Sequence, residues 1–205
     1  MNESVEEERK HETGDGLCFI FPYTCLGNPS PAFASDRGDA ADMFDYARRE
    51  EVTRYLMWNP HTDIRMTTDY LRYLQQRSRI GDFYDWAVVE RQSGRMIGTC
   101  GFSRFDFNHD VGEIGYVINP DFQGKGYATE AVERVIAFGF AQLPLHRIEA
   151  VFIEGNERSR RVMENVGMTF EGYRREGMLI KRAYRTVGVC SILRDEAMGP
   201  SIETD

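Results

Sequence analysis

Apolar positions fall into alternating blocks of strand-like and helix-like spacing. Leu17 to Tyr23 is a short apolar run that predicts an opening strand, and the glycine and two prolines of residues 27–31 break it. Asp39 then reads as the N-cap of a helix beginning at Ala40, with Met43, Phe44 and Ala47 on one face and the pattern continuing through Val52, Tyr55 and Leu56. A second helix is expected over residues 67–80, where Tyr70, Leu71 and Leu74 share a face and Gly81 follows the end. The texture next turns β-rich. Residues 84–90 and 95–105 read as strands joined by a hairpin at 91–94, and 111–118 as a third strand. From Tyr127 to Leu143 the period returns to that of a helix, with Ala128, Ala131, Val132, Val135, Ile136, Gly139 and Leu143 in register. A strand over 145–154, a short helix over 156–167 ending at Gly167, and strands over 169–175 and 184–193 complete the pattern. This order predicts an α/β (α+β) fold, a mixed and largely antiparallel sheet with helices on both faces.

Composition narrows the function classes. The chain has 205 residues, enough for one sizeable core: a single domain over 17–196 is expected, with an acidic tail over 1–16 and a short tail over 197–205. The formal charge is −8, and half of it falls in the first 16 residues, where six acids face two bases. That run reads as a solvated tail, and the overall charge argues against a nucleic-acid partner. No apolar stretch is long enough to span a membrane, and the start lacks the apolar core of a signal peptide, so a cytoplasmic protein is expected. Cys18, Cys25, Cys100 and Cys190 form no C-x-x-C pair and the four histidines have no ligand spacing, so no metal is expected.

The chemistry concentrates in Gln123-Gly124-Lys125-Gly126-Tyr127-Ala128, between a strand and a helix. Glycine is a poor helix former, so Gly124 and Gly126 are expected for backbone geometry. Unpaired amides at a helix start, aided by the helix dipole, suit a phosphate or pyrophosphate. The spacing is not that of a Walker loop, and Thr129 stands where a dinucleotide-binding fingerprint needs its last glycine. Alone, the motif is equally readable as a tight turn.

Residues 112–140, followed by 147–168 and 170–175, resemble the GNAT acetyltransferase superfamily, in particular the branch of ribosomal-protein and amino-terminal N-acetyltransferases. The likeness covers about residues 39–194. It carries the superfamily's loop as Gln123, Gly126 and Ala128, and the Asn-x-x-Ser of that branch as Asn156 and Ser159. The resemblance implies acetyl-CoA as cofactor, its pyrophosphate held by the amides of Gln123, Gly124, Lys125, Gly126, Tyr127 and Ala128. It also implies a strand splayed from its neighbour at Tyr116, Val117 and Ile118, whose free backbone groups bind the pantetheine arm and polarise the thioester. Lys125 reads either as a phosphate contact or as a solvated loop lysine. Glu113 is the first candidate general base, against the alternative of a salt-bridged glutamate, and Glu176 is the second; Glu149 reads as structural. The tyrosine that many relatives carry seven residues after the asparagine is here Met163, so Ser159 is the hydroxyl left for the departing thiolate, besides its fitness as an N-cap. Trp58, Phe83, Tyr84 and Trp86 read as core before they read as an acceptor pocket. The expected activity is acetyl transfer to a primary amine in a ternary complex, first a protein amino terminus and second a small-molecule amine. A non-catalytic acyl-CoA sensor is the rival, and the resemblance allows a homodimer.

Overall fold

The computed structural model describes residues 17–20, 37–80 and 84–198. The strands are β1 (Leu17–Ile20), β2 (Tyr84–Glu90), β3 (Met96–Asp106), β4 (Val111–Ile118), β5 (Arg147–Ile153), β6 (Thr169–Ile180) and β7 (Ala183–Leu193). The helices are α1 (Arg37–Ala47), α2 (Glu50–Thr53), α3 (Ile64–Ile80), α4 (Tyr127–Gln142), α5 (Glu157–Asn165) and α6 (Arg194–Met198). All seven strands form one sheet in the order β1-β2-β3-β4-β5-β7-β6. Every pairing is antiparallel except β4 with β5, which α4 joins as a crossover.

Both faces of the sheet are covered, which is why its central strands read as unbroken apolar runs. Along β2, alternation sends Trp86 and Val88 into a core under α4 and α5 with Phe102, Ile114, Val132, Ile136 and Phe140. Ala87 and Val89 join Met43, Tyr46, Ala47, Leu71 and Leu74 under α1 and α3. Each such large side chain contributes about 1.5–3 kcal/mol through its removal from water.

The mixed, largely antiparallel sheet is as the sequence predicts, and its splayed centre is as the resemblance implies. β4 pairs with β5 only from Val111 to Ile114, opposite Arg147 to Ala150. Beyond Gly115, β4 stays with β3 while β5 stays with β7. A wedge therefore opens at the C-terminal end of β4.

Several local expectations are corrected. α1 begins at Arg37, so Asp39 lies in its first turn and not at its cap. The helical face does not run on through Val52, Tyr55 and Leu56: Arg49 adopts extended backbone (φ −83°, ψ 125°) and a separate single turn, α2, follows. α3 starts at Ile64, a turn before the predicted Thr67. β6 extends to Ile180, with irregular pairing between Arg174 and Met178. Of the opening run, Leu17–Ile20 is strand, and residues 21–23 lie outside the described residues, as do Phe83, Gly81, Cys25, the acidic tail and residues 199–205. Trp86 is core, and Trp58 packs on the His61 ring beside the second core. Cys100 and Cys190 are buried and unpaired. Among the described residues no helix is long and apolar enough to cross a membrane, and no group of His, Cys, Asp or Glu is arranged to hold a metal.

Candidate active site

The wedge opens into a cavity of about 980 Å³. Its walls come from α2 and the turn after it (Val52, Arg54, Leu56), the end of β4, the glycine loop, and the first turns of α4 and α5.

At the loop, Gly124 (φ +80°) and Gly126 (φ +83°) are both left-handed, a conformation costing other residues roughly 1–2 kcal/mol. A Cβ at either position would meet nothing within 4 Å, so the requirement is backbone geometry and not space. Gly126 is the N-cap of α4 and offers no side-chain cap. The first bond of the helix runs from the Glu130 N–H to the Gly126 carbonyl. The amides from Gly124 to Thr129 therefore have no backbone acceptor among the described residues, at the positive end of a sixteen-residue helix.

The charged side chains around the cavity are three arginines and two glutamates, Glu51 and Glu157. Arg54, Arg158 and Arg161 line the same cavity in a chain of net charge −8. Arg158 donates to the Gln123 Oε1 at 3.0 Å, and Gln123 Nε2 donates to the Ile118 carbonyl at 3.0 Å, so one side chain ties α5 to β4. Lys125 turns away: its ammonium lies 3.6 Å from Glu90 Oε1 and over the rings of Phe122 and Tyr127. The Tyr127 hydroxyl also donates to Glu90, at 2.8 Å. Both side chains are thus engaged with Glu90, and neither residue is among those lining the cavity.

Alternation fixes which main-chain groups of β4 are available. The Val117 carbonyl is directed at Gly98 of β3, so its backbone belongs to that pairing. The groups of Tyr116 and Ile118 then point to the side β5 has left. The Ile118 carbonyl is taken by Gln123, leaving the Ile118 amide and both groups of Tyr116 along the wedge. Of the predicted trio, Val117 contributes only its side chain to the cavity.

Asn156 caps α5, accepting from the Ser159 N–H at 3.4 Å. The Tyr116 hydroxyl lies 2.9 Å from the Ser159 hydroxyl and 3.0 Å from the Ser159 carbonyl, and its one proton can go to either. Burial raises the Tyr116 pKa well above that of a free phenol, so it stays protonated. When Tyr116 donates to Ser159 Oγ, the serine proton is free to point into the cavity. Met163, where many relatives carry a tyrosine, is a core residue.

The two candidate bases separate. Glu113 lies in the paired half of β4, on the face shared with Gly115 and Val117, and is 8% exposed. Its oxygens are engaged: Ser103 donates to Oε1 at 3.2 Å and Arg104 to Oε2 at 2.9 Å. Arg104 also reaches Glu149, the residue opposite Glu113 on β5. Glu176 is exposed at φ +51° in the irregular part of β6, and neither it nor Glu113 is among the residues lining the cavity.

The residues present fit coenzyme A: unpaired amides and three arginines for phosphates, an apolar stretch at Val52, Leu56, Val117 and Val162, and an open strand edge for an amide-bearing arm. The arginines and the Tyr116 hydroxyl were missed in the sequence. Arg158 and Arg161 at helical spacing beside Asn156 were a readable signal, whereas the approach of Tyr116 to Ser159 depends on tertiary packing.

Comparison with known proteins agrees with this geometry. An uncharacterised N-acetyltransferase of Bacillus licheniformis, p20, is 32% identical over 161 residues, covering 78% of this chain and 90% of its own. The spermidine N(1)-acetyltransferase of Vibrio cholerae is 24% identical over 168 residues, 82% of this chain and 95% of the relative. Among solved structures, a GNAT-family acetyltransferase of Bacillus anthracis superposes with a TM-score of 0.73 at 25% identity, covering 90% of this chain and 98% of that one. The ribosomal-protein-S5-alanine acetyltransferase of Vibrio fischeri gives 0.62 at 25% identity, covering 77% and 91%. The family model of the GNAT acetyltransferase domain matches residues 33–169. The chain belongs to the GNAT acetyltransferase family and is an N-acetyltransferase.

Proposed function

We propose that this enzyme acetylates a primary amine by direct transfer in a ternary complex, and that the wedge between β4 and β5 is where donor and acceptor meet. The observation that carries this reading is the continuity of one cavity from the unpaired amides of Gly124–Thr129 to the free edge of β4. Acetyl-CoA supplies the acetyl group as a thioester. The helix start and the arginines at 54, 158 and 161 bind its phosphates, through amides that include those of Lys125, Tyr127 and Ala128. The Ile118 amide is a donor for the carbonyl oxygen that becomes negative as the amine attacks. Ser159, held by Asn156 and backed by the buried Tyr116 hydroxyl, donates a hydrogen bond or proton to the departing sulfur.

An amine nucleophile must be neutral. Glu113, on the face under α1 and α3, is the carboxylate nearest along β4 to the point of splay. Both its oxygens already accept hydrogen bonds, so it takes the amine proton through water and passes it toward the solvent side of Arg104. The acceptor has two supported classes: the Vibrio fischeri enzyme acts on a ribosomal-protein alanine and the Vibrio cholerae one on spermidine.

Calorimetric titration with acetyl-CoA, followed by free-thiol release over a panel of peptides and small amines, tests the reading. Binding with thiol release on an acceptor is the expected result. Binding without release on any acceptor leaves a sensor, and absence of binding returns residues 123–128 to being a turn.

A further inference from the structure

The glycine loop is held from outside the cavity at both of its ends. At the start, Arg49 binds Asp121 through two bonds and the Asn119 side-chain amide donates to Asp45, so α1 holds the turn before Gln123. At the end, one carboxylate holds the residues on either side of Gly126. Glu90, the last residue of β2, accepts from the Tyr127 hydroxyl at 2.8 Å and has the Lys125 ammonium at 3.6 Å from the same oxygen. Its other oxygen accepts from Ser93 at 2.6 Å, within the hairpin that joins β2 to β3. The Lys125 ammonium also lies 5.2 Å from the centre of the Phe122 ring, and Arg95 of that hairpin lies 5.6 Å from the same ring.

Residues along the loop alternate in what they face. Gly124, Gly126 and Ala128 line the cavity, whereas Lys125 and Tyr127 do not, and theirs are the side chains bound to Glu90. The two glycines are left-handed with open space around them, so no packing against them keeps that shape. Glycine also has the most backbone freedom to lose, so the shape has to be imposed by neighbours that carry side chains. Glu90 is suited to impose it. It is 5% exposed, and its backbone is fixed independently of its side chain. Its N–H donates to the Arg95 carbonyl at 3.0 Å, its carbonyl accepts from Gly94 at 2.8 Å, and it pairs with Leu17 of β1. The Lys125 ammonium beside it offsets a negative charge that would otherwise oppose an anion at the loop.

We infer that Glu90 is a positioning residue for the acyl donor: through Tyr127 and Lys125 it fixes the loop on both sides of Gly126, with the amides of the helix start turned to the cavity before a phosphate arrives. Glu90 itself does not line the cavity and acts through those two residues. The assignment rests on the reading of this loop as the diphosphate site. A loop already in its binding shape loses little further freedom when the ligand is seated. Release of the two side chains lets Gly124 and Gly126 take other backbone angles. Affinity for the phosphates then falls, while the pantetheine end, which lies along β4, is untouched.

The test is calorimetry of the whole chain with CoA and with pantetheine, the part of the cofactor that carries no phosphate, alongside melting temperatures. The wild type is expected to bind CoA far more tightly than pantetheine. Glu90→Ala is expected to weaken CoA by at least about tenfold, about 1.4 kcal/mol, with the affinity for pantetheine as in the wild type. Tyr127→Phe keeps the ring beside Lys125 and removes the bond to Glu90, so a several-fold loss confined to CoA is expected. A folded Glu90→Ala with wild-type affinity for CoA overturns the positioning role; if that variant does not fold, Tyr127→Phe decides by the same measure. Equal losses for CoA and pantetheine also overturn it, because a side chain that only supports the fold weakens both. In each of those cases the acetyltransferase reading stands. A wild type that binds CoA no more tightly than pantetheine takes the phosphates away from the loop, and the positioning role with them.

Discussion

Single residues of this protein answer to two different demands, and Gly126 separates them. Its φ of +83° is needed for α4 to begin with its amides uncovered, while the space around it is open. Gly126→Val would therefore be disfavoured by the backbone and not by a clash: about 1–2 kcal/mol of strain, small beside the stability of a folded domain. Relief of that strain by a shift in φ would turn the amides away from the cavity, and the new side chain would stand in front of them. The expected outcome is a chain that still unfolds cooperatively, with its affinity for CoA lowered by at least about tenfold. Unaltered CoA affinity would take the phosphates away from this loop. Tyr116 answers to a different demand again. Its ring packs with the core under α4 and α5, and its hydroxyl reaches Ser159. Core position and catalytic position coincide in one side chain, which is why an apolar strand run gave no hint of the hydroxyl's use.

Among elements, the strands were more legible than the helix ends. β2 and β4 were readable to the residue because burial on both faces leaves a continuous apolar run with polar residues at each end. The break between α1 and α2 was hidden because Val52, Tyr55 and Leu56 continue the helical face in sequence while the chain bends at Arg49. The reason for the bend is tertiary. Arg49 grips Asp121 through two bonds of 2.9 and 2.8 Å and Asp45 at 3.1 Å, and Asn119 donates to the same Asp45, so α1 is fastened to the turn that leads into the glycine loop. Local propensity cannot anticipate a partner 72 residues away. The far end of α4 depends on a similar long-range contact. Arg194 donates to the carbonyls of Phe140, Leu143 and Leu145 at 2.6, 3.0 and 2.8 Å, closing the helix end and the start of the connection to β5. A cation there serves both the unpaired carbonyls and the negative end of the helix. Arg194→Ala is expected to cost about 2 kcal/mol, charged hydrogen bonds being worth roughly 1.5–3 kcal/mol. A melting temperature lower by about 4–8 °C would register it, at about 2–4 °C per kcal/mol for this size, with CoA affinity little changed. An unchanged melting temperature would mean that water serves those carbonyls equally well.

At the scale of the molecule, two carboxyls make stability depend on pH in opposite senses, and their windows are distinct. Glu171 of β6 is drawn down from 4.5 to about 2, first by its paired bonds to Arg147 of β5 and also by Ser191 of β7. Its folded pKa is depressed, so its contribution is complete above pH 4.5 and is lost as pH falls toward 2, when the link across three strands is protonated. Glu171 is partly exposed, so solvent reduces the size of that contribution. Asp85 is raised from 3.8 to about 7. Between those values the folded state holds a proton that the unfolded chain has released, so stability declines as pH rises from about 4 to about 7 and levels off above. Urea midpoints across this range should therefore show an acid limb that Glu171→Gln flattens below pH 4.5, and a decline toward neutrality that Asp85→Asn removes while Glu171→Gln leaves it. If the decline persists in Asp85→Asn, its proton belongs to another group.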